Sequence, residues 1–185
     1  MEEGRTIIEG KSKKDRSYFI RYPKKGDEEA MLSYINTLSQ EQTYVLMQGK
    51  QKTIEEEKKF LDDSLKNIIE QNGIVLLVFV GDTLIGIASL DMQTEAASHV
   101  GGIGITIAMG YRGEGIGKIL MQFLLDEGEN CIPHLRIITL GVYEDNLPAV
   151  EMYKKLGFQD FGKLPEGLFR KDKYSNELFM YKKIR

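Results

Sequence analysis

Cysteine and histidine are scarce in this chain of 185 residues. The single cysteine, Cys131, excludes an internal disulfide framework. The two histidines, His99 and His134, are too few to form with it a set of closely spaced zinc ligands. We therefore predict no metal site, and this cysteine content suits a reducing, cytoplasmic environment.

Long apolar runs and a concentrated basic surface are missing as well. The longest apolar run, residues 74–80, is far shorter than the roughly 18 residues that a membrane-spanning helix needs. The N-terminus has no apolar core of the kind found in signal peptides. The net charge is −3, and the basic clusters at residues 11–16 and 182–185 are most simply solvated termini. We expect neither a membrane nor a nucleic acid as partner.

What is present is the composition of an ordinary globular domain. Hydrophobic residues make up 42% of the chain and charged residues 29%, and the length suits one domain with a substantial core. Residues 1–16 are polar and lack periodicity, which predicts a flexible N-terminal extension. Residues 17–185 contain no repeat and no linker, which predicts a single domain.

Periodicity and turn signals place helices and strands along that domain. Asp27 is the expected cap of the first helix, and Thr53 with Glu56 forms a capping box for the second. Helices are expected at residues 27–39, 53–72 and 115–129, and as a short segment after Pro148. Strands are expected at residues 17–22, 74–80, 84–90, 100–108, 135–142, 158–164 and 177–182, with loops at 40–52, 91–98 and 165–176.

The most informative stretch is residues 103–118. An alternating apolar strand leads into a glycine-rich turn, and the turn opens a helix with apolar residues at positions 116, 119, 120, 123 and 124. The first N–H groups of a helix lack intrahelical partners and carry the positive end of its dipole. Glycines at that point let a phosphate approach the bare backbone. This stretch therefore predicts an anion-binding cradle.

The spacing excludes two common nucleotide motifs. A Walker loop would need glycine where Arg112 stands and serine or threonine where Ile119 stands. A Rossmann fingerprint, Gly-x-Gly-x-x-Gly, would need a further glycine at position 118 or 120, where Lys118 and Leu120 stand. What remains is Arg112-x-x-Gly115-x-Gly117, a motif that also fits a turn serving only close packing.

A second stretch, residues 139–158, narrows the choice. It contains a strand ending in Val142-x-x-x-Asn146, a short helix with Ala149 and Tyr153, and the pair Gly157-Phe158. In this order and separation, the two motifs resemble those of the GCN5-related N-acetyltransferase (GNAT) superfamily, and the resemblance covers roughly residues 17–184. It implies an α/β, single-domain GNAT fold whose mixed, mostly antiparallel central sheet is flanked by about four helices. The strands at 100–108 and 135–142 should be parallel neighbours, since a helix connects them.

The resemblance also implies a cofactor, acetyl-coenzyme A, and the residues that hold it. Its pantetheine arm would lie in a gap beside the first of those strands, at Ile105, Thr106, Ile107, Ala108 and Met109. Its pyrophosphate would rest on the turn formed by Arg112, Gly113, Glu114, Gly115, Ile116, Gly117 and Lys118. Asn146 would hydrogen-bond the arm, although it could also be a plain helix cap.

In acetyl transfer to an amine, deprotonating the amine is a larger task for the enzyme than protonating the departing sulfur. An amine of pKa about 10.4 is rarely neutral at pH 7, whereas a thiol of pKa about 8.5 leaves with little help. The resemblance gives Tyr153 the role of protonating the sulfur, although its helix face also suits a core residue. Glu95 is the preferred base, with His99 and Glu144 as alternatives. Backbone N–H groups around residues 105–107 would stabilise the oxyanion.

These observations predict an acetyl-coenzyme A-dependent N-acetyltransferase. The acceptor would be a primary amine, such as a protein N-terminus, a lysine, a polyamine or another small amine. Attack would be direct, in a ternary complex, because Cys131 lies too far along the cradle helix to carry an acyl group. The acidic run at residues 55–57 could attract a cationic amine or simply complement a helix dipole. The alternative is a non-catalytic sensor of a coenzyme A thioester, and either would be a monomer or a homodimer.

Overall fold

An eight-stranded sheet runs through the computed structural model, which describes residues 2–185. The strand order is β1-β2-β3-β4-β5-β6-β8-β7. The strands are β1 (Thr6–Lys11), β2 (Ser17–Arg21), β3 (Gly73–Val80), β4 (Thr83–Met92), β5 (Val100–Ile107), β6 (Ile137–Tyr143), β7 (Gln159–Arg170) and β8 (Lys173–Lys183). β3 is buried along nearly its whole length, as expected for an apolar strand covered on both faces.

Helices cover both faces of the sheet. They are α1 (Glu28–Gln40), α2 (Ile54–Ile69), α3 (Ile116–Cys131) and α4 (Leu147–Lys155). α1 and α2 pack with Val75, Leu77 and Phe79 on one face. α3 and α4 contribute to the larger core on the other face, which includes Leu76 and Val78. The predicted mixed sheet with about four helices is confirmed.

The pairing of β5 with β6 decides where a site can form. Within residues 2–185 it is the sheet's only parallel pair, as the sequence predicted. Its register runs Val100↔Ile137, Gly101↔Ile138 and Gly102↔Thr139, and then ends. β5 continues to Ile107 on β4, while β6 continues on β8. The two strands therefore diverge, and a gap opens in the middle of the sheet.

The N-terminal prediction is wrong for residues 6–11. They form β1, which pairs antiparallel with β2 through Ile8↔Ile20 and Lys11↔Ser17. Ile7 and Ile8 pack against the core. The sequence did not predict this strand because its two isoleucines are adjacent and do not alternate with polar residues. The structure accommodates them with a register shift between Thr6 and Ile8.

The loop predicted at 165–176 is also wrong. β7 extends to Arg170 and β8 begins at Lys173, so the two form a long hairpin with a tight turn at Lys171 and Asp172. Its pairing is interrupted between Leu164 and Leu168, where Pro165 lies. Proline is tolerated at such an irregularity on an edge strand. Pro165 therefore does not start a loop, although the sequence predicted one there.

Capping was predicted correctly at one helix and wrongly at another. Thr53 and Glu56 form the expected capping box at α2. The Asp27 side chain makes no cap hydrogen bond at α1. It pairs instead with Arg21 through two hydrogen bonds of 2.6 and 2.7 Å, and both residues are buried. Asp27 therefore ties β2 to the start of α1.

Two further properties hold for the part of the chain that the structure describes. None of its helices is both long and apolar enough to cross a lipid bilayer. Nor do its histidine, cysteine, aspartate and glutamate side chains form a group of three that could hold a metal ion.

Candidate active site

The gap between β5 and β6 exposes backbone groups that a continuous sheet would pair. Gln93 N–H donates to Val100 C=O, and Ala108 N–H donates to Ile85 C=O, so these positions of β5 face β4. Ladder groups alternate along a strand, and the N–H and C=O groups of Ile103, Ile105 and Ile107 therefore point towards the gap. This edge can bind an extended ligand through its backbone.

A cavity of about 430 Å³ fills this gap and passes through the sheet. We call it the interstrand cavity. On the α4 side it is lined by Asn146, Ala149 and Tyr153, and on the α1 side by Ile35 and Met47. β5 contributes Ile103 to Thr106, and β6 contributes Gly141 to Tyr143. A ligand in this cavity can be reached from both faces of the sheet.

Tyr153 lies on α4 and lines the interstrand cavity. Its ring packs edge-on against Phe158, with the ring centroids 5.7 Å apart. It is only 6% exposed, and burial raises the pKa of its hydroxyl to about 12. The hydroxyl therefore stays protonated at neutral pH. It can donate a proton to a group in the cavity.

Asn146 lies where β6 leads into α4. Its backbone carbonyl accepts hydrogen bonds from Ala149 and Val150, which start the helix, but its side chain makes no cap bond. Asn146 lines the interstrand cavity. Its predicted hydrogen bond to the pantetheine arm stays a prediction.

The turn after β5 leaves backbone N–H groups bare. Met109–Tyr111 forms a short 3₁₀ turn, and Gly113 and Gly115 follow with φ of 76° and 88°. Such left-handed values favour glycine, and they aim the chain into α3 without a side chain in the way. The first helical bond is Ile119 N–H to Gly115 C=O, so the N–H groups of residues 116–118 are not used within the helix. Lys118 is exposed beside them and adds positive charge.

The Arg112 side chain folds back onto the turn and forms hydrogen bonds there. Its Nε donates to Ile107 C=O at 2.7 Å, and its guanidinium pairs with Glu41 at 2.5 Å. Glu41 also accepts a hydrogen bond from Met109 N–H at 3.3 Å. Glu41 follows α1 and is distant in sequence from the turn. The Arg112 side chain therefore fixes the junction of β5 with the turn.

The Glu114 side chain points away from the gap, although the turn backbone runs through this residue. Its carboxylate is buried and accepts a 2.7 Å hydrogen bond from Ser12 in the β1–β2 turn. Lys14 and Arg16 lie 3.4 and 3.7 Å from it. The Lys13 side chain packs beside Gly115. The basic N-terminal turn thus braces the cradle, a role that the sequence did not reveal.

The three predicted bases are not equivalent in the structure. Glu95 is exposed in a 3₁₀ turn after β4, and it is not among the residues that line the interstrand cavity. His99 is also exposed, just before β5. Glu144 pairs with Lys163 at 2.5 Å and Asn176 at 2.7 Å, and these contacts lower its pKa. The geometry does not bring these three to Tyr153, and the role of Glu95 stays a prediction.

A second cavity, of about 280 Å³, lies on the α1–α2 face, and we call it the α2 cavity. It shares a wall with the interstrand cavity at Gly104, Ile105 and Thr106. Glu57 of α2 lines it. In the sequence Glu57 is one of three consecutive acids, and its helical spacing from Leu61 and Ser64 is the signal that places it on the buried face of α2.

Comparison with known proteins identifies the family. A sequence model described as the acetyltransferase (GNAT) family matches residues 34–158, which is more than half of the chain and includes both motifs. The chain belongs to the acetyltransferase (GNAT) family. This confirms the predicted superfamily, and with it an N-acetyltransferase as the class of enzyme.

Relatives of this GNAT chain share most of its length. The L-amino acid N-acetyltransferase AaaT of Escherichia coli (strain K12) is 30% identical over 119 residues, which are 62% of this chain and 72% of AaaT. A GNAT-family acetyltransferase structure from Streptococcus pneumoniae has a TM-score of 0.83 and 26% identity, covering 91% of this chain and 99% of its own. YncA from Salmonella typhimurium, solved with its cofactor acetyl-coenzyme A, has a TM-score of 0.79 at 16% identity, covering 91% and 94% of the two chains. The last comparison shows a shared fold.

Proposed function

We propose that this GNAT-family protein transfers the acetyl group of acetyl-coenzyme A to a small primary amine, by direct attack in a ternary complex. The observation that carries the proposal is a cavity that crosses the sheet, with unpaired strand N–H groups on one wall and the Tyr153 hydroxyl on another. The fold and the family support an acetyltransferase, and the cavity supports a reaction in which donor and acceptor meet from opposite faces.

The residues present suit a long, anionic thioester. The bare N–H groups at the start of α3 and the exposed Lys118 ammonium suit a pyrophosphate. The Asn146 amide and the inward-facing groups of β5 suit an amide-containing arm. When bound, acetyl-coenzyme A would supply the acetyl group as a thioester.

The protein groups then have separate tasks. The N–H groups of Ile105 and Ile107 would hold the carbonyl oxygen as it gains negative charge, a contribution that is often worth several kcal/mol, on the order of 3. Tyr153 would give its proton to the departing sulfur, because its raised pKa keeps the hydroxyl intact. The Cys131 thiol lies at the far end of α3 against Glu127, and burial raises its pKa, so it is a poor acyl carrier.

The experiment that tests this function measures thiol release from acetyl-coenzyme A with a panel of amines. The panel contains L-amino acids, alkylamines, spermidine, an N-terminal peptide and a lysine side-chain analogue. Calorimetry with coenzyme A runs in parallel. Release with at least one amine is the expected result.

Two other results would contradict parts of the proposal. Coenzyme A binding without release for any amine would favour the alternative, a thioester sensor. A lack of binding would remove the cradle assignment as well. The enzyme is favoured because Tyr153, which lines the cavity, keeps its hydroxyl proton at neutral pH.

A further inference from the structure

The α2 cavity contains a buried carboxylate that the proposed donor chemistry does not use. Glu57 is 3% exposed. None of the hydrogen bonds formed within residues 2–185 involves its carboxylate, and its pKa is raised by burial. The Glu57 oxygens are accessible from the cavity that this residue lines, so a cation that enters can contact them. Glu57 is therefore placed to meet a cation that enters the cavity.

A single positive charge shares this cavity. Lys52 lines it and is close enough for its charge to oppose the rise in the Glu57 pKa. The two side chains form no direct ion pair in the described part of the chain. The Lys52 backbone is held by Asn36, whose amide oxygen accepts from Lys52 N–H at 2.7 Å and whose amide nitrogen donates to Lys52 C=O. The cavity is thus lined by one acidic and one basic residue, and the backbone of the basic residue is held in place.

The rest of the cavity is mostly apolar. Its apolar walls are formed by Ile35, Met47, Phe60 and Ile87. The volume of about 280 Å³ suits a small molecule and not a folded protein surface. An occupant that satisfies all three features carries an ammonium, a carboxylate and an apolar group.

The α2 cavity is also in the correct place for an acceptor. Ile103, Ile105 and Ile107 pack towards the α3 side, so Gly104 and Thr106 face α1 and α2. Ser89 and Ile87 of β4, which pair with Gly104 and Thr106, lie on the same face. A molecule in the α2 cavity therefore contacts the part of β5 that also lines the interstrand cavity. From there its amine can approach a thioester bound in the interstrand cavity.

We propose that the acceptor is a free α-amino acid with an apolar side chain, whose ammonium is bound and deprotonated by Glu57 and whose carboxylate is bound by Lys52. The proposal rests on the proposed function and assigns its acceptor half. A polyamine would leave Lys52 facing a second cation, and a simple alkylamine would leave it without a partner.

The proton and bond changes balance. Glu57 takes one proton from the ammonium, and the freed nitrogen lone pair forms a bond to the thioester carbonyl carbon. The carbon–sulfur bond then breaks, and the sulfur receives a proton from Tyr153, which regains one from the nitrogen. Glu57 releases its proton to water. The products are an N-acetyl amino acid, a thiol and one proton.

The first test compares matched acceptors that differ only in the carboxylate. L-Leucine is compared with isopentylamine, L-phenylalanine with phenethylamine, and glycine reports on the apolar side chain. We expect kcat/KM to be at least about tenfold higher for each amino acid than for its amine partner, because a charge-assisted contact is lost in the amine. Glycine should be poorer than leucine. Equal rates within the pairs would overturn the Lys52 assignment while leaving an acetyltransferase.

The second test removes each charge in turn. Lys52→Met should abolish the preference for leucine over isopentylamine, while Lys50→Met, an exposed neighbour, should preserve it. Glu57→Gln should lower kcat/KM for both acceptors by about a hundredfold to ten-thousandfold, the range for loss of a general base. Glu55→Gln, exposed on the same helical turn, is the matched control. Coenzyme A affinity by calorimetry should be unchanged in all four variants, which reports that they fold.

A pH profile separates a base from a merely structural carboxylate. Lys52 and Glu56 are the charged groups that act on Glu57. In wild type, kcat/KM should fall on acidification as Glu57 takes up a proton, and Glu57→Gln should lose this limb. An unchanged acid limb in Glu57→Gln would overturn its role as base. If no amine releases thiol from wild type while coenzyme A binds, the proposed function fails, and this assignment fails with it.

Discussion

Ser12 Oγ donates a 2.7 Å hydrogen bond to Glu114 Oε2, and this contact joins the β1–β2 turn to the residue before Gly115. The backbone reinforces it, because Lys13 N–H donates to Glu114 C=O at 3.0 Å. The N-terminal hairpin is therefore a structural support of the cradle. Removing part of it should affect cofactor binding as well as stability.

Ser12→Ala tests this support. The Glu114 carboxylate would lose its nearest donor while remaining buried, so we expect the melting temperature to fall by a few degrees. We also expect coenzyme A to bind several-fold more weakly, as measured by calorimetry. Ser17→Ala, at an exposed site of the same hairpin, is the control. Identical coenzyme A affinity in Ser12→Ala and wild type would mean that the hairpin does not shape the cradle.

Glu114 also makes stability depend on pH. The Ser12 hydrogen bond, followed by Arg16 and Lys14, lowers the pKa of Glu114 against the opposing effect of burial. A carboxyl with a lowered folded-state pKa stabilises the protein above its unfolded pKa, and this contribution is lost as pH falls through the folded value. Urea unfolding from about pH 7 to about pH 3 should therefore show a wild-type advantage over Glu114→Gln that shrinks with acid. An advantage that is constant over this range would contradict the assignment.

Gly115 should be far less tolerant of a side chain than Gly110. Its φ is 88°, and an added Cβ would lie 3.4 Å from the Lys13 side chain. Gly110 has no atom within 4 Å of an added Cβ. Gly115→Ala should weaken coenzyme A binding at least about tenfold, since a strained turn, costing about 1–2 kcal/mol, would shift the bare N–H groups. Gly110→Ala should bind nearly as wild type, and equal losses in both variants would contradict the cradle.

Tyr153→Phe tests the proposed acid. The hydroxyl forms no hydrogen bond within residues 2–185, so the fold and coenzyme A affinity should be preserved. We expect kcat to fall by roughly tenfold to a thousandfold, in the range for one proton-transfer group. Tyr181→Phe removes a hydroxyl that donates to Gln159 Oε1 at 3.2 Å, and this control should retain activity. A wild-type rate in Tyr153→Phe would leave solvent as the proton source.

The buried Arg21–Asp27 pair should contribute far more to stability than an exposed pair. Asp27 accepts both guanidinium hydrogen bonds and a third from Lys24 N–H. Asp27→Asn would leave the Arg21 charge buried and uncompensated, at a cost of about 3 kcal/mol in the free energy of unfolding. Asp63→Asn breaks the exposed Lys59 pair, which solvent screens, and should have little effect on the free energy of unfolding. Urea unfolding of both variants measures the difference, and similar costs would contradict the argument.

The sequence alone determined the features that depend on neighbouring residues. The glycine turn at 113–117, the capping box of Thr53 and Glu56, and the helix with Tyr153 each follow from spacings of a few positions. The parallel β5–β6 pair also followed, because a helical crossover leaves no other arrangement. From these the family, the fold and the donor side of the site could be predicted.

Only the tertiary structure decided which side chains meet across the chain. Ser12 and Glu114 are 102 positions apart, and Arg112 and Glu41 are 71 apart. Of the acidic run at 55–57, only Glu57 is buried, because α2 presents that position to the sheet. Residues 6–11 are ordered because β2 offers an edge to pair with. Such partners depend on how distant segments of the chain pack together, and the spacing of neighbouring residues in the sequence does not determine that packing.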